Sequence, residues 1–331
     1  MSELYIRQEV LPNLAKIDAI LFDIDGVLLD VSASFRAATI DTVQYFAVHS
    51  LGLEDTGKLL EVEDVEAFKF AGGFNDDWDL TCAAAALVVG KWAQSEAKDT
   101  ASLRAFGTTW KEFTDALKRK GGGIVEAEGF VLEMLNPTQR REFARNWNTR
   151  LVTRLFQEFY AGDDACKKLY GFEPETIHGH GYYTRETPLI DPTLTPPNLK
   201  LGVVTGRSMA EAELGLRHAK MFNRIKPAGW ITPENGAKKP DGRTLMMARD
   251  ALDFSFGLFI GDIMDDLNTV HNYRKLRGAG KARIMSAIAL TGPGGETHRR
   301  QFLEANADIV TPDVNTLLEL LGNVLKESKN K

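Results

Sequence analysis

Ala19-Ile20-Leu21-Phe22-Asp23-Ile24-Asp25-Gly26-Val27 decides the reading of this chain. Four apolar residues in a row read as a strand buried on both faces, and such strands belong to parallel sheets covered by helices. Two carboxylates follow at once, and then a turn glycine. Burying one acid beside another is costly unless a cation or a bound ligand compensates the charge. The stretch predicts a strand whose carboxyl end carries a metal or ligand site.

The same grammar returns downstream. Leu201-Gly202-Val203-Val204 runs into Thr205-Gly206-Arg207, and Leu258-Phe259-Ile260 runs into Gly261-Asp262-Ile263-Met264-Asp265-Asp266. Between them, Lys238-Lys239-Pro240-Asp241-Gly242 precedes a helical pattern over 243–252, with Pro240 suited to a first helical position. In an open parallel sheet the carboxyl ends of the strands face one crevice, where α/β proteins take their ligands. Segments far apart in the chain are expected to build one site.

From Ser32 onward the pattern is helical, over 35–48, 59–70, 77–91, 103–118 and 137–159, and the next strand-like run is 200–204. Gly121-Gly122-Gly123 and Asn136-Pro137 are expected to end helices. Beyond residue 204, strands and helices alternate. The expected fold is therefore α/β, a Rossmann-like doubly wound parallel sheet interrupted by an inserted helical domain. The expected boundaries are core 1–31, helical insert 32–186 and core 187–331. Prolines 188, 192, 196 and 197 stiffen the return connector.

A length of 331 residues suits two domains, and 44% hydrophobic with 26% charged residues supplies a core with no disordered majority. A net charge of -6 argues against nucleic acid or an anionic membrane as partner. Cys82 and Cys166 are too few for a disulfide framework and suit a reducing compartment. The apolar run from Cys82 to Val89 is too short to span a bilayer, and Glu3 and Glu9 break any signal-peptide pattern. A cytoplasmic protein acting on a small molecule is expected.

In order, DxDGV at 23–27, apolar-Thr-Gly ending at 206, Lys-Pro at 239–240 and GDxxxD at 261–266 resemble the four motifs of the haloacid dehalogenase-like hydrolase superfamily. The resemblance is closest to subfamily I, which inserts a helical C1-type cap between the first two motifs. It implies a phosphatase that forms an aspartyl-phosphate on Asp23, with Asp25 as general acid and base. Asp23, the backbone carbonyl of Asp25 and Asp262 would ligate Mg²⁺, and Asp266 would hold a metal-bound water. Thr205 and the Gly206 N–H would bind phosphoryl oxygens, and Lys239, or Lys238 in its place, would offset charge. An acid at position 25 weighs against dehalogenation.

Substrate contacts are expected from Gly206, Arg207, Arg36 just after the first motif, and Asn75 and Asp76 in the turn after Gly72-Gly73. The acids of that turn, Asp77 included, point to a compact phosphomonoester with a hydroxylated or amine-bearing leaving group. Relatives of the β-phosphoglucomutase kind carry a histidine where Phe35 stands here, which weighs against a phosphomutase. A catalytically silent binding protein of the same fold is the third alternative, disfavoured because all four motifs keep functional side chains. Gly26 is expected to turn backbone N–H groups toward phosphate. Thr291-Gly292-Pro293-Gly294-Gly295 lacks the ending of a phosphate loop and reads as a strand-to-helix connector. His178 and His180 read as loop residues without acidic companions.

Overall fold

The computed structural model describes residues 3–74 and 77–329. Its packing divides the chain into two compact units, 1–31 together with 186–331, and 32–185. Glu186, expected as the last residue of the insert, belongs to the first unit.

The first unit is built on a sheet. Its strands are β1 (Tyr5–Ile6), β2 (Ala19–Phe22), β5 (Lys200–Val204), β6 (Trp230–Ile231), β7 (Phe256–Gly261), β8 (Arg283–Ala289) and β9 (Ile309–Thr311), while β3 (Leu29–Asp30) and β4 (Thr187–Pro188) form a separate ribbon. The order is β1-β9-β8-β7-β2-β5-β6, with β1 antiparallel to β9 and the other pairs parallel. Every residue of β2 is buried, as its unbroken apolar run requires. Phe22 lies opposite Val203 of β5 and Ile260 of β7, so this register brings the two downstream motifs to either side of Asp23. In the ribbon, Leu29 pairs with Pro188 and Asp30 with Thr187, and the Leu189 N–H donates to the Leu28 carbonyl at 2.9 Å. The outgoing and returning connectors are thereby tied to each other.

The second unit is helical: α1 (Ala37–His49), α2 (Val62–Ala71), α3 (Asp77–Gln94), α4 (Thr100–Ala105), α5 (Trp110–Lys120), α6 (Ile124–Met134), α7 (Pro137–Asn146) and α8 (Thr149–Tyr170). Helix α3 is its axis, with Leu80 to Val89 buried continuously, the pattern of a helix surrounded on all sides. Two expected helices are split. Thr109 and Glu112 form a reciprocal capping box that starts α5 afresh, and the Asn148 side chain caps α8 by accepting from the Leu151 N–H. Helix α6 is an addition to the expected set. Gly121-Gly122-Gly123 does end α5, and its backbone meets that of Gly72-Gly73. A Cβ on Gly122 would fall 1.7 Å from the Gly72 carbonyl oxygen. His178 and His180 do have acidic companions, Asp163 and Asp164, each 2.9 Å from an Nδ1. Among the described residues, neither pair belongs to a three-ligand cluster.

The remaining helices, α9 (Met209–His218), α10 (Arg243–Leu252), α11 (Met264–Lys275), α12 (Arg299–Glu304) and α13 (Val314–Lys329), belong to the first unit. Leu21, Val204 and Phe259 on the sheet pack with Leu245 and Ala248 of α10 and with Val270 and Tyr273 of α11. Pro240 lies in the loop before α10, whose first residue is Arg243.

Candidate active site

Asp23 leaves β2 at the point where its N–H still donates to the Ile260 carbonyl at 2.8 Å, so the sheet ladder itself aims the side chain. Its Oδ1 accepts from the Ile24 N–H at 2.8 Å, and its Oδ2 lies 2.8 Å from the Lys239 ammonium. Lys239 is buried and also donates to Asp266 Oδ1 at 2.7 Å, whereas Lys238 is exposed. Of the two lysines, Lys239 is thus the one whose ammonium bonds Asp23 and Asp266.

Asp23, Asp262 and Asp266 are all buried, and each presents a carboxylate oxygen within 4.8 Å of the others. Burial, with the charges of Asp266 and Asp25 adding to it and Lys239 opposing, pushes the Asp23 carboxyl up to about 7. Asp262 is likewise held well above the usual carboxylate range, by burial first and then by Asp266 and Asp23. Burial works against the Lys239 charge, but Asp23 and Asp266 outweigh it and raise the ammonium above the usual lysine range. One lysine does not neutralise three buried acids. An all-oxygen donor set with surplus negative charge fits a hard divalent cation.

Asp266 is also a structural brace. Its Oδ2 accepts from the N–H groups of Asp262, at 3.0 Å, and Ile263, at 3.2 Å, capping α11 while its other oxygen holds Lys239. Both oxygens are thus engaged by protein donors, which suits support of the metal site more than direct ligation.

The Asp262 carboxylate lies in a slot between two glycines. A Cβ on Gly26 or on Gly292 would stand 2.0 Å from Asp262 Oδ2. The connector reading of residues 291–295 was thus incomplete. Thr291 Oγ1 donates to the Gly26 carbonyl, which pins this loop to the first motif. Gly26 has φ +71, and its N–H donates to the Leu29 carbonyl at 2.8 Å. Its missing side chain leaves room for Asp262, a role that the sequence alone did not give it. No recognised sequence motif marks Gly292. Its role depends on β8 lying beside β7.

Thr205 is buried at the end of β5, and its hydroxyl oxygen accepts from the Arg207 N–H at 3.2 Å, leaving the hydroxyl proton to be donated. Gly206 lies between them. Arg207 Nε donates to Asp25 Oδ1 at 2.8 Å, and its Nη2 to Glu186 Oε1 at 2.9 Å. Its guanidinium is committed to two carboxylates of its own unit, not presented to a ligand. Arg36, in the helical unit, is likewise paired with Glu66 at 2.9 Å, and Asp77 is paired with Lys69 at 2.9 Å. Asn75 and Asp76 lie outside the described residues. The charge argument for the leaving group therefore loses Asp77.

No family model matches the chain. Over 65 residues, 20% of this chain, it is 40% identical to an imidazoleglycerol-phosphate dehydratase from Phytophthora nicotianae, and the match spans 12% of that protein's length. Among solved structures, it is similar to the phosphatase Tt82 from Thermococcus thioreducens, at 25% identity and a TM-score of 0.59, covering 93% of this chain and 98% of that one. A predicted phosphoglycolate phosphatase from Haemophilus somnus, at 12% identity and a TM-score of 0.50, covers 92% of this chain and 98% of its own, a likeness of fold. Over nearly their full length these two neighbours, phosphatases by name, share the fold of this chain, whose four motifs resemble those of the haloacid dehalogenase-like hydrolase superfamily.

Proposed function

We propose that this protein is a Mg²⁺-dependent phosphomonoester hydrolase that works through an aspartyl-phosphate on Asp23. The observation that carries the reading is the buried Asp23, held by Lys239 and flanked by Asp262, with a second acid two residues on. Asp23, Asp262 and the Asp25 backbone carbonyl would hold the cation, which when bound neutralises the charge between an anionic nucleophile and an anionic phosphoryl group. Asp23 attacks phosphorus, and the Asp25 carboxyl gives its proton to the departing alcohol oxygen. Asp25 then takes a proton from the water that attacks the acyl-phosphate, and Asp23 is regenerated as phosphate leaves. Thr205 and Lys239 hydrogen-bond the phosphoryl oxygens as charge builds on them.

The chemistry is indifferent to the alcohol, so the substrate class is as wide as small phosphomonoesters. The mutase alternative gains nothing at position 35. Phe35 is buried and stacked on Tyr160 with ring centroids 4.2 Å apart, a packing role.

Replacing Asp23 with Asn keeps shape while removing both nucleophile and charge. Phosphate release from an aryl phosphate should fall at least about a thousandfold with the fold intact by circular dichroism. Acid quench of the wild type during turnover should leave a phosphate adduct on the Asp23 peptide. Near wild-type turnover by Asp23→Asn would refute the assignment.

A further inference from the structure

Arg207 is a buried charged group beside the site that the family motifs leave without a part. Its side chain is 1% exposed, whereas that of Asp25 is 28% exposed. The guanidinium is gripped on several sides. Nε and Nη2 both reach Asp25 Oδ1, at 2.8 and 2.7 Å, Nη2 also donates to Glu186 Oε1 at 2.9 Å, and Nη1 meets the Glu211 carbonyl at 3.4 Å. Gly215 on α9 makes room for it, since a Cβ there would lie 2.8 Å from Nη1. Glu186 is fully buried at the side chain, and its Oε2 lies 3.9 Å from His218 Nδ1. It is also the residue at which the chain re-enters this unit, just before the ribbon strand β4.

A planar guanidinium fixed by several partners has few positions to choose from, and it imposes that restriction on any carboxylate it holds. Here its two contacts to Asp25 fall on the same oxygen, Oδ1. Oδ1 already accepts two charged N–H groups, which makes Oδ2 the oxygen left for a reacting partner.

We propose that Arg207, braced by Glu186, is the positioning residue for Asp25, locking Oδ1 and making Oδ2 the oxygen that gives and takes the proton. The proposal rests on the phosphatase reading above. In the first step the O–H bond of Oδ2 breaks as the leaving oxygen takes its proton and parts from phosphorus. In the second, Oδ2 regains a proton from the water whose oxygen bonds phosphorus, while the bond from Asp23 to phosphorus breaks.

A merely structural Arg207 and a positioning Arg207 differ in how their loss depends on the leaving group. Protonation matters little for p-nitrophenolate, a good leaving group, and much for phenolate. The test compares Mg²⁺-dependent kcat/KM for p-nitrophenyl and phenyl phosphate with the full chain, which reports the steps up to loss of the alcohol and not the water step common to both esters. Asp25→Asn should lose about a hundredfold or more on phenyl phosphate and far less on p-nitrophenyl phosphate. Arg207→Gln should show the same bias in kcat/KM, about tenfold on phenyl phosphate with a loss several times smaller on p-nitrophenyl phosphate. Adding Arg207→Gln to Asp25→Asn should cost nothing further, because residues acting as one unit are not additive.

Glu186→Gln, which preserves size and removes only the charge, should show a weaker bias in the same direction and carries the test if Arg207→Gln does not fold. Equal losses on both esters, or full additivity with Asp25→Asn, would overturn the positioning role while the phosphatase reading stands. Absence of Mg²⁺-dependent phosphate release by the wild type, or no bias in Asp25→Asn, would overturn that reading and this inference together.

Discussion

At the scale of single residues, the acids could be read from the sequence because charge at the end of a buried strand needs a compensating partner. Glycine and arginine send no such signal. The slot that holds Asp262 is formed by Gly26 and Gly292, which lie far apart in the chain, and the partners of Arg207 are Asp25 and Glu186. Each pairing depends on strand order and connector path, which local sequence does not encode. Gly292 offers the cleaner test of the slot, because Gly26 also has φ +71 and any side chain there adds backbone strain. A Cβ at 292 would stand 2.0 Å from Asp262 Oδ2, so Gly292→Ala must displace the carboxylate or the loop. It should lower phosphate release by about a hundredfold and raise the Mg²⁺ concentration needed for half-maximal rate, with the unfolding midpoint little changed. An unaltered Mg²⁺ dependence would mean that the loop does not hold this ligand.

At the scale of elements, helices were legible where apolar periodicity ran uninterrupted and misread where caps cut it. The 103–118 pattern keeps its apolar spacing across the break, and only the Thr109–Glu112 capping box reveals the new start. Helix α3 hides a different feature within its apolar run. Lys91 is buried there, with Nζ donating to the Arg104 carbonyl at 2.8 Å. Burial first, and then the Arg104 charge, lower its ammonium from 10.5 to about 8. Between those two values the unfolded chain binds more protons than the folded one, so the Lys91 contribution to stability rises with pH across this window. Below about 8 the cost of the buried charge is present in full. The rise should reach on the order of 2 kcal/mol once screening by water is allowed for. The stability of the wild type minus that of Lys91→Met, from urea unfolding at pH 7.5 to 10.5 in steps, should increase across that range. Taking the difference cancels the buried thiols Cys82 and Cys166, both pushed up to about 11, which act in the opposite sense. A flat difference would show that Lys91 is not buried as a charge.

At the scale of the whole molecule, the α/β class and the helical insert were legible because two hydrophobic periods occupy different stretches of chain. The antiparallel edge strand β1 was not, since two residues are too few to carry a period. Among the described residues, no helix is long and apolar enough to cross a membrane. Each unit has its own hydrophobic core, one around Leu87 and Phe113 and the other around Leu21 and Phe259. Two cores joined through two connectors need not melt together, because cooperativity follows shared packing. The three clustered acids all lie in the unit formed by 1–31 and 186–331. A cation bound there stabilises the state that holds it by RT ln(1 + [L]/Kd), about 2.7 kcal/mol at a hundredfold excess over Kd. Saturating Mg²⁺ should therefore raise amide protection in β2, β5 and β7 by roughly a hundredfold in global-opening exchange, with a smaller change in the core of α3. Asp262→Asn should abolish the Mg²⁺ effect while relieving part of the repulsion among the buried acids, so this variant without Mg²⁺ should be no less stable than the wild type without it. Protection that rises equally in both units would show that they unfold as one body. Protection that rises in neither would leave the acid cluster without its cation.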